Sequence, residues 1–471
     1  LALAAGLLGT VATTAIAQQT ERAATPADRT VIEVTVYNGD LAMVRETRKA
    51  SLARGRTRLA LPGVSPAMQP ATASVALHSD TTVTFIDQTF AFDLLTPESL
   101  LRHSVGQTVR VIRTNPATGE ETVEVAKVLS ARNGVILQIG DRIETGIPGR
   151  IAYDSLPNTL REKPTLFATF ESSGDIDATL DLRYLTGGLT WQADYIGQLD
   201  KTGAVLTLEA VATVTNSSGA AYEDADLRLV AGTINQGPRP ARPAMKAMES
   251  QRALAAAAPA PVPTAPVGDM HLYPIPRKTT LSDQETRQII LFRSSHVPVT
   301  KEYRVMGNGN FHTYRIGEPQ TMNAERLLKF TNDKHAGLGI PMPAGTVRVY
   351  GATEIVSDTF LGADRIDHTA DGEEVTLSLG RAFDITAERR QTDFKTQGLP
   401  KNTFESSQEI KIRNASDKPE TVKLVDLMPG DWSILNESYP HKKIAANQAE
   451  WTVAVPPKGE RTLTYTVRVQ R

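Results

Sequence analysis

Apolar and polar residues alternate with a period of two along most of the chain. That spacing puts one face of an antiparallel strand against a core and the other in water. In 462–469, Leu463, Tyr465, Val467 and Val469 alternate with Thr462, Thr464, Thr466 and Arg468. In 205–215, Leu206, Leu208, Ala210, Ala212 and Val214 share one face. Thr207, Glu209, Thr213 and Thr215 share the other, with Val211 among them. Val375, Leu377 and Leu379 alternate with Thr376 and Ser378. Turn signals separate the runs: Asn38-Gly39-Asp40, Asn133-Gly134, Asp371-Gly372 and Pro457-Lys458-Gly459. One short helix is predicted over 96–103, with Thr96 as N-cap, Pro97 at the first position and Gly106 beyond the end. A second short helix is expected around Asp283–Arg287. The pattern predicts an all-β, multidomain chain with very little helix.

Breaks in the pattern divide the chain. Residues 237–268 hold 7 Pro and 10 Ala, with too little bulky apolar surface to offset chain entropy, and read as a disordered linker. Around it, residues 30–95 are expected to form an N-terminal β module and 96–164 a small barrel-like module. Residues 165–236 and 269–395 are expected to form one β-sandwich interrupted by the linker. Residues 396–471 read as a terminal sandwich of immunoglobulin style. That last stretch is short for a full sandwich, so a sheet shared with its neighbour is expected.

Residues 1–17, LALAAGLLGTVATTAIA, carry no charge and end in Ala15-Ile16-Ala17, a small-x-small pattern. They read as the apolar region of a secretory signal cleaved near Ala17. No later run approaches the ~18 apolar residues of a membrane helix. The expectation is an exported protein of the periplasm or cell envelope, with no membrane span in the mature chain. The 471 residues include no Cys, which removes disulfides, a thiol nucleophile, Cys-ligated zinc and a lipidated cysteine. With 51 Lys+Arg against 53 Asp+Glu the net charge is −2, so no basic field points to nucleic acid.

No catalytic, cofactor-binding or metal-binding residue is assignable from the sequence. The His residues at 78, 103, 271, 296, 312, 335, 368 and 441 form no i, i+2 or i, i+4 pair and no HExxH. The acidic cluster best spaced for a hard cation is Asp364, Asp367 and Asp371, with His368, Glu373 and Glu374 beside them. It lacks the DxDxDG order, and a solvated hairpin around Asp371-Gly372 is the preferred reading. No GxSxG elbow occurs. His296 and His312 fall in strand-like segments and are read as structural residues with hydrogen-bond partners. Asp175/Asp177 and Glu223/Asp224, the carboxylate pairs, sit beside turns. Gly307-Asn308-Gly309 is too short for a phosphate loop. Arg48-Lys49, Arg54, Arg56 and Arg58 read as a solvated strand face.

Several longer motifs resemble a known family. They are Tyr184-Leu-Thr-Gly-Gly-Leu-Thr-Trp-Gln-Ala-Asp-Tyr195, Asn216-Ser-Ser-Gly219 and Leu227-Arg-Leu-Val-Ala-Gly232. Then come Leu338-Gly-Ile-Pro-Met-Pro-Ala-Gly-Thr-Val-Arg-Val-Tyr350, Leu379-Gly-Arg-Ala-Phe-Asp384 and Val455-Pro-Pro-Lys-Gly459. In this order they resemble the uncharacterised bacterial family called domain of unknown function 4139, with its mucoidy inhibitor A-like members, over roughly 30–471. The resemblance implies an exported β-rich protein and brings no activity or catalytic residue with it. Members of the mucoidy inhibitor A type often carry a coiled-coil insertion, and no heptad stretch occurs here.

Physically the motifs read as structural. Gly187-Gly188 suits a turn or close strand approach, Trp191 and Tyr195 are anchors, Pro341 and Pro343 belong to an edge or loop, and Gly345 supplies a turn. The function expected is therefore non-catalytic: a cell-envelope scaffold meeting an envelope protein or polymer through its β modules. The alternative is a periplasmic hydrolase or carbohydrate-acting enzyme with an inter-domain site.

Overall fold

The computed structural model describes residues 20–78, 82–132, 134–157, 159–232, 234, 265–267, 270–351, 358–397 and 402–470. The expected signal segment lies outside them, as does most of the Pro/Ala-rich segment. Of the latter, Ala265–Val267 form a strand paired antiparallel with Met270–Pro274. The chain folds as an all-β, multi-sheet protein in two compact units. The first comprises residues up to Thr190 with Thr215–Leu229 and Ile275–Thr286; the second comprises Trp191–Val214, Val230–Pro274 and the chain from Arg287 onward. The segments expected to make one interrupted sandwich are thus divided between the two units.

In the first unit, one sheet orders the strands Tyr222–Ala231, Arg29–Tyr37, Leu41–Leu52, Ile176–Thr186 and Ser74–His78 side by side. The turn Asn38-Gly39-Asp40 joins two of these strands, with φ of 93° at Gly39 and 54° at Asp40. A second sheet runs Thr20–Ala23, Gly55–Pro62, Thr165–Ser172, Val83–Ala91. The segment expected as a small barrel is a five-stranded antiparallel sheet, Arg142–Thr145, Ile136–Ile139, Glu121–Ser130, Thr108–Thr114, Arg150–Ala152. No pairing among the described residues joins its two ends. The predicted helix, Pro97–His103, adds Leu101 to the sheet's apolar core of Val109, Val111, Ala126, Val128, Leu137 and Ile139. Thr96 Oγ1 caps that helix by accepting the Ser99 N–H at 3.1 Å. The second expected helix does not form. Gln284 takes φ 58° in a turn, and a strand starts at Glu285, because Ser282 N–H is held by the Glu285 carboxylate across the turn.

The second unit holds a sheet ordered Glu285–Pro298, Val205–Asn216, Leu189–Leu199, Gly345–Gly351, Thr359–Ile366. Gly345 does not turn the chain there. It opens a strand parallel to Leu189–Leu199, and a Cβ on it would strike the Ala193 carbonyl. Beside it lies a nine-stranded sheet. Its order is Asp431–Glu437, Gly459–Gln470, Thr403–Asn414, Glu374–Gln397, Gln320–Thr331, Thr300–Met306, Glu420–Leu427, Gln448–Val455, His441–Ala445. The expected terminal module shares this sheet with residues before 396. Trp451 and Tyr465, from strands several places apart in the order, stack with ring centroids 4.4 Å apart. The sheet therefore curls around one apolar core, into which Val305, Ile385, Ile410, Leu424, Trp451 and Val467 all point.

Three buried asparagines bolt strand ends in the same way. Asn216 Nδ2 donates to Ala220 O, Leu281 O and Ser282 O. Asn332 Nδ2 donates to Ile340 O, Thr369 O and Ala370 O. Asn414 Nδ2 donates to Lys418 O, Val455 O and Pro456 O. In each, Oδ1 accepts a backbone N–H of the following loop: Ser218, Gly339 and Ser416 respectively. A strand that leaves its sheet exposes carbonyls, and one side-chain amide satisfies several of them at once.

Candidate functional site

The family-like motif loops of the second unit surround a concavity of about 370 Å³. Its lining is Ala231, Gly232, His271, Tyr273, Pro341, Met342, His368, Thr369 and Ala370. The floor is apolar and buried: Tyr273, Met342 and Ala231. Most polar groups around it hold the walls in place. Tyr273 Oη donates to Pro341 O at 3.0 Å, and Tyr195 Oη donates to Pro343 O at 2.6 Å. Trp191 Nε1 donates to Val230 O at 3.1 Å, and its ring packs 6.1 Å from that of Tyr273. Met342 and Thr369 form an antiparallel bridge, and Thr369 Oγ1 donates to Asp367 O. The rigid Pro341-Met342-Pro343 loop is thus tied from three directions, in a loop as the prolines require. His368 Nδ1 accepts the Ala344 N–H at 3.2 Å, so a proton on its neutral ring sits on Nε2. Burial pushes the Tyr273 and Tyr195 phenols well above their usual range, so both stay neutral donors.

A second polar feature lies inside the curled sheet. Arg389 Nη1 pairs with Asp426 Oδ1 at 2.7 Å, both side chains fully buried. Arg389 Nη2 donates to Tyr465 Oη at 2.6 Å and Nε to Gln408 Oε1 at 2.9 Å, while Tyr465 Oη donates to the other Asp426 oxygen. The guanidinium lies 4.2 Å above the Phe311 ring. Burial pushes the Asp426 carboxyl up, but the Arg389 charge and the surrounding donors bring it below its usual range. His312 ends a 3-10 turn, Gly309–His312, packed against Tyr465, with its ring fully buried. This corrects the expectation of a strand residue with hydrogen-bond partners: neither ring nitrogen has a partner among the described residues. Burial lowers its pKa to about 4. Gly307, in the segment too short for a phosphate loop, is needed here because a Cβ would overlap the Asp426 carboxylate.

Arg48 is likewise buried rather than on a solvated strand face. Its Nε donates to Glu46 Oε2 at 2.8 Å, and its Nη1 to Ala24 O and Pro62 O. The strand Leu41–Leu52 points Val44, Glu46, Arg48, Ala50 and Leu52 inward, so both charges fall in the inward phase. The same phase rule places Arg389 with Ile385 and Ala387, and Asp426 with Val422 and Leu424. Opposite charges occupying inward slots, on one strand for Glu46 and Arg48 and on two for Arg389 and Asp426, were the sequence signal for these pairs.

The structure separates the acidic candidates. Asp364 Oδ1 accepts the Arg365 N–H and its Oδ2 the Ser378 N–H; Glu373 Oε2 accepts the Ala370 N–H. Asp367 and Asp371 are exposed on the loop beside the concavity. Among the described residues no three His, Asp or Glu side chains gather to hold a metal. His296 is exposed on its strand. Asp175 accepts the Arg54 N–H, and Asp224 takes φ 47° within its strand. Trp191 and Tyr195 are buried anchors. Gly188, at φ 80°, lies against the Ser218 backbone, the close approach its motif implied.

Residues 180–470, more than half of the chain, match the family described as a domain of unknown function (DUF4139). The chain belongs to this family. The DUF4139 region starts at 180, later than the residue near 30 suggested by the motifs, and contains both the concavity and the Arg389–Asp426 cluster. No curated protein matches the chain. Among the described residues no helix is long and apolar enough to cross a membrane.

Proposed function

We propose that this chain is a non-catalytic, exported cell-envelope protein that acts as an interaction scaffold. Its DUF4139 concavity receives an apolar side chain from a partner. The observation that carries the reading is how the polar atoms around the concavity are used. Tyr273, Tyr195, Thr369 and Asn332 spend theirs on holding their own loops, over a floor of Tyr273 and Met342. A recess whose loops are fixed by their own hydrogen bonds, over a buried apolar floor, binds by shape and burial. The leader-like residues 1–17 support export. The test is recovery of cross-linked partners from envelope fractions by the full chain and by Ala370→Trp, which fills the recess. Partners held by the wild type and lost by the variant support the reading; equal recovery by both, or none by either, contradicts it.

A further inference from the structure

Phe383, within the motif Leu379–Asp384, is 96% exposed. It does not follow the strand it belongs to. Along Glu374–Gln397, the pairing with Gln320–Thr331 jumps from Arg381 opposite Glu325 to Thr386 opposite Asn323. Residues 382–385 therefore face a single partner position, Ala324, and form a wide bulge that throws Phe383 outward. The bulge is fixed. Arg326 Nη2 donates to Leu379 O at 3.1 Å and Leu361 O at 2.7 Å, and Asp384 O accepts the Ala415 N–H at 2.8 Å. Gly380, at φ 90°, supplies the backbone turn before it. An aromatic held rigidly in water forgoes the burial that stabilises most Phe side chains, and it loses little entropy when a pocket takes it up.

The same unit carries the matching recess. Its 370 Å³ exceeds the volume of a phenyl ring and its floor is Tyr273 and Met342. Charge matches as well. Exposed Arg381 stands two residues from Phe383, and exposed Asp367, Asp371 and Glu373 belong to the loop that supplies His368, Thr369 and Ala370 to the recess. Within one chain the two features stay apart. Nine residues of strand, up to roughly 30 Å at ~3.3 Å each, run from Glu374 near the recess to Phe383, and pairing with neighbouring strands prevents folding back.

We infer that the partner is a second copy of this chain: Phe383 of one copy enters the recess of the next, with Arg381 facing its acidic loop. Knob and socket are different surfaces, so the contact is heterologous and each added copy presents a fresh knob. This rests on the reading of the recess as a binding site.

The test is sedimentation velocity of the full chain over a concentration series. The wild type is expected to exceed the 51.0 kDa monomer progressively. Phe383→Asp and Ala370→Trp alone are each expected to remain monomeric. An equimolar mixture of the two is expected to stop at a dimer, because one variant retains the socket and the other the knob. Arg381→Glu, a surface change that leaves the fold intact, is expected to weaken assembly, and mixing it with Asp371→Arg to restore it. A monomeric wild type at every concentration, or assembly unaffected by Phe383→Asp, overturns the inference. If envelope partners still depend on an open recess while the wild type stays monomeric, self-assembly fails and the binding-site reading survives.

Discussion

Gly307 lies against the Asp426 carboxylate so closely that any Cβ there would overlap Oδ1 and crowd Arg389 Nη1. One glycine thus sets the room for a fully buried ion pair. Breaking such a pair on one side leaves an uncompensated charge, at a cost of about 3–5 kcal/mol. Gly307→Ala and Asp426→Asn are each expected to lower the unfolding free energy of the second unit, read by urea denaturation, by that order. Gly309→Ala is expected to do little, since its Cβ would meet Leu427 O at an ordinary 3.4 Å. Equal effects of the two glycine substitutions would contradict the role given to Gly307.

His312 makes stability depend on pH. Its folded pKa, lowered by burial to about 4, lies below the 6.5 of the free side chain. Between these values the unfolded chain binds the extra proton, so stability is full above pH 6.5 and declines as pH falls toward 4. Full burial makes the loss on the order of 3 kcal/mol. His312→Phe removes a side chain whose nitrogens lack partners among the described residues, and is expected to match or exceed wild-type stability at pH 7.5. The variant should also lose less between pH 7 and pH 4.5 than the wild type does. Parallel pH profiles for the two proteins would refute the assignment.

Asn332 ties the Pro-rich loop to the strand end and so shapes the recess. Asn332→Ala orphans the Ile340 carbonyl and the Gly339 N–H, and leaves Ala370 O with the Glu373 N–H alone. A loss of about 2–3 kcal/mol is expected, along with faster amide exchange at residues 338–344. Protection unchanged in that loop would mean the bolt is not what holds it.

Both Asp364 oxygens already accept backbone N–H groups, from Arg365 and Ser378. Calcium would have to compete with both bonds. Millimolar calcium is therefore expected to leave the melting temperature of the purified chain unchanged, and a clear rise would restore the acidic cluster as a cation site.

Much of this architecture was legible in the alternation. The strands over 205–215, 375–379 and 462–469, the Thr96 cap and the glycine turns all follow from period, capping chemistry and φ preference. What the pattern left out was long-range. Arg48 and Arg389 look solvated until Glu46 and Asp426 are seen in inward slots on the same core faces. The recess gathers residues from 231 to 370, which no local spacing brings together. Phe383 stands out only because the pairing register slips by several residues, and register is a property of two strands rather than one.

The central claim is that the DUF4139 recess is a binding site for an apolar side chain. Cross-linking capture from envelope fractions, comparing the full chain with Ala370→Trp at matched melting temperature, tests it most directly. The account predicts that specific products seen with the wild type disappear with the recess filled. The same products in the same yield from both proteins would contradict it.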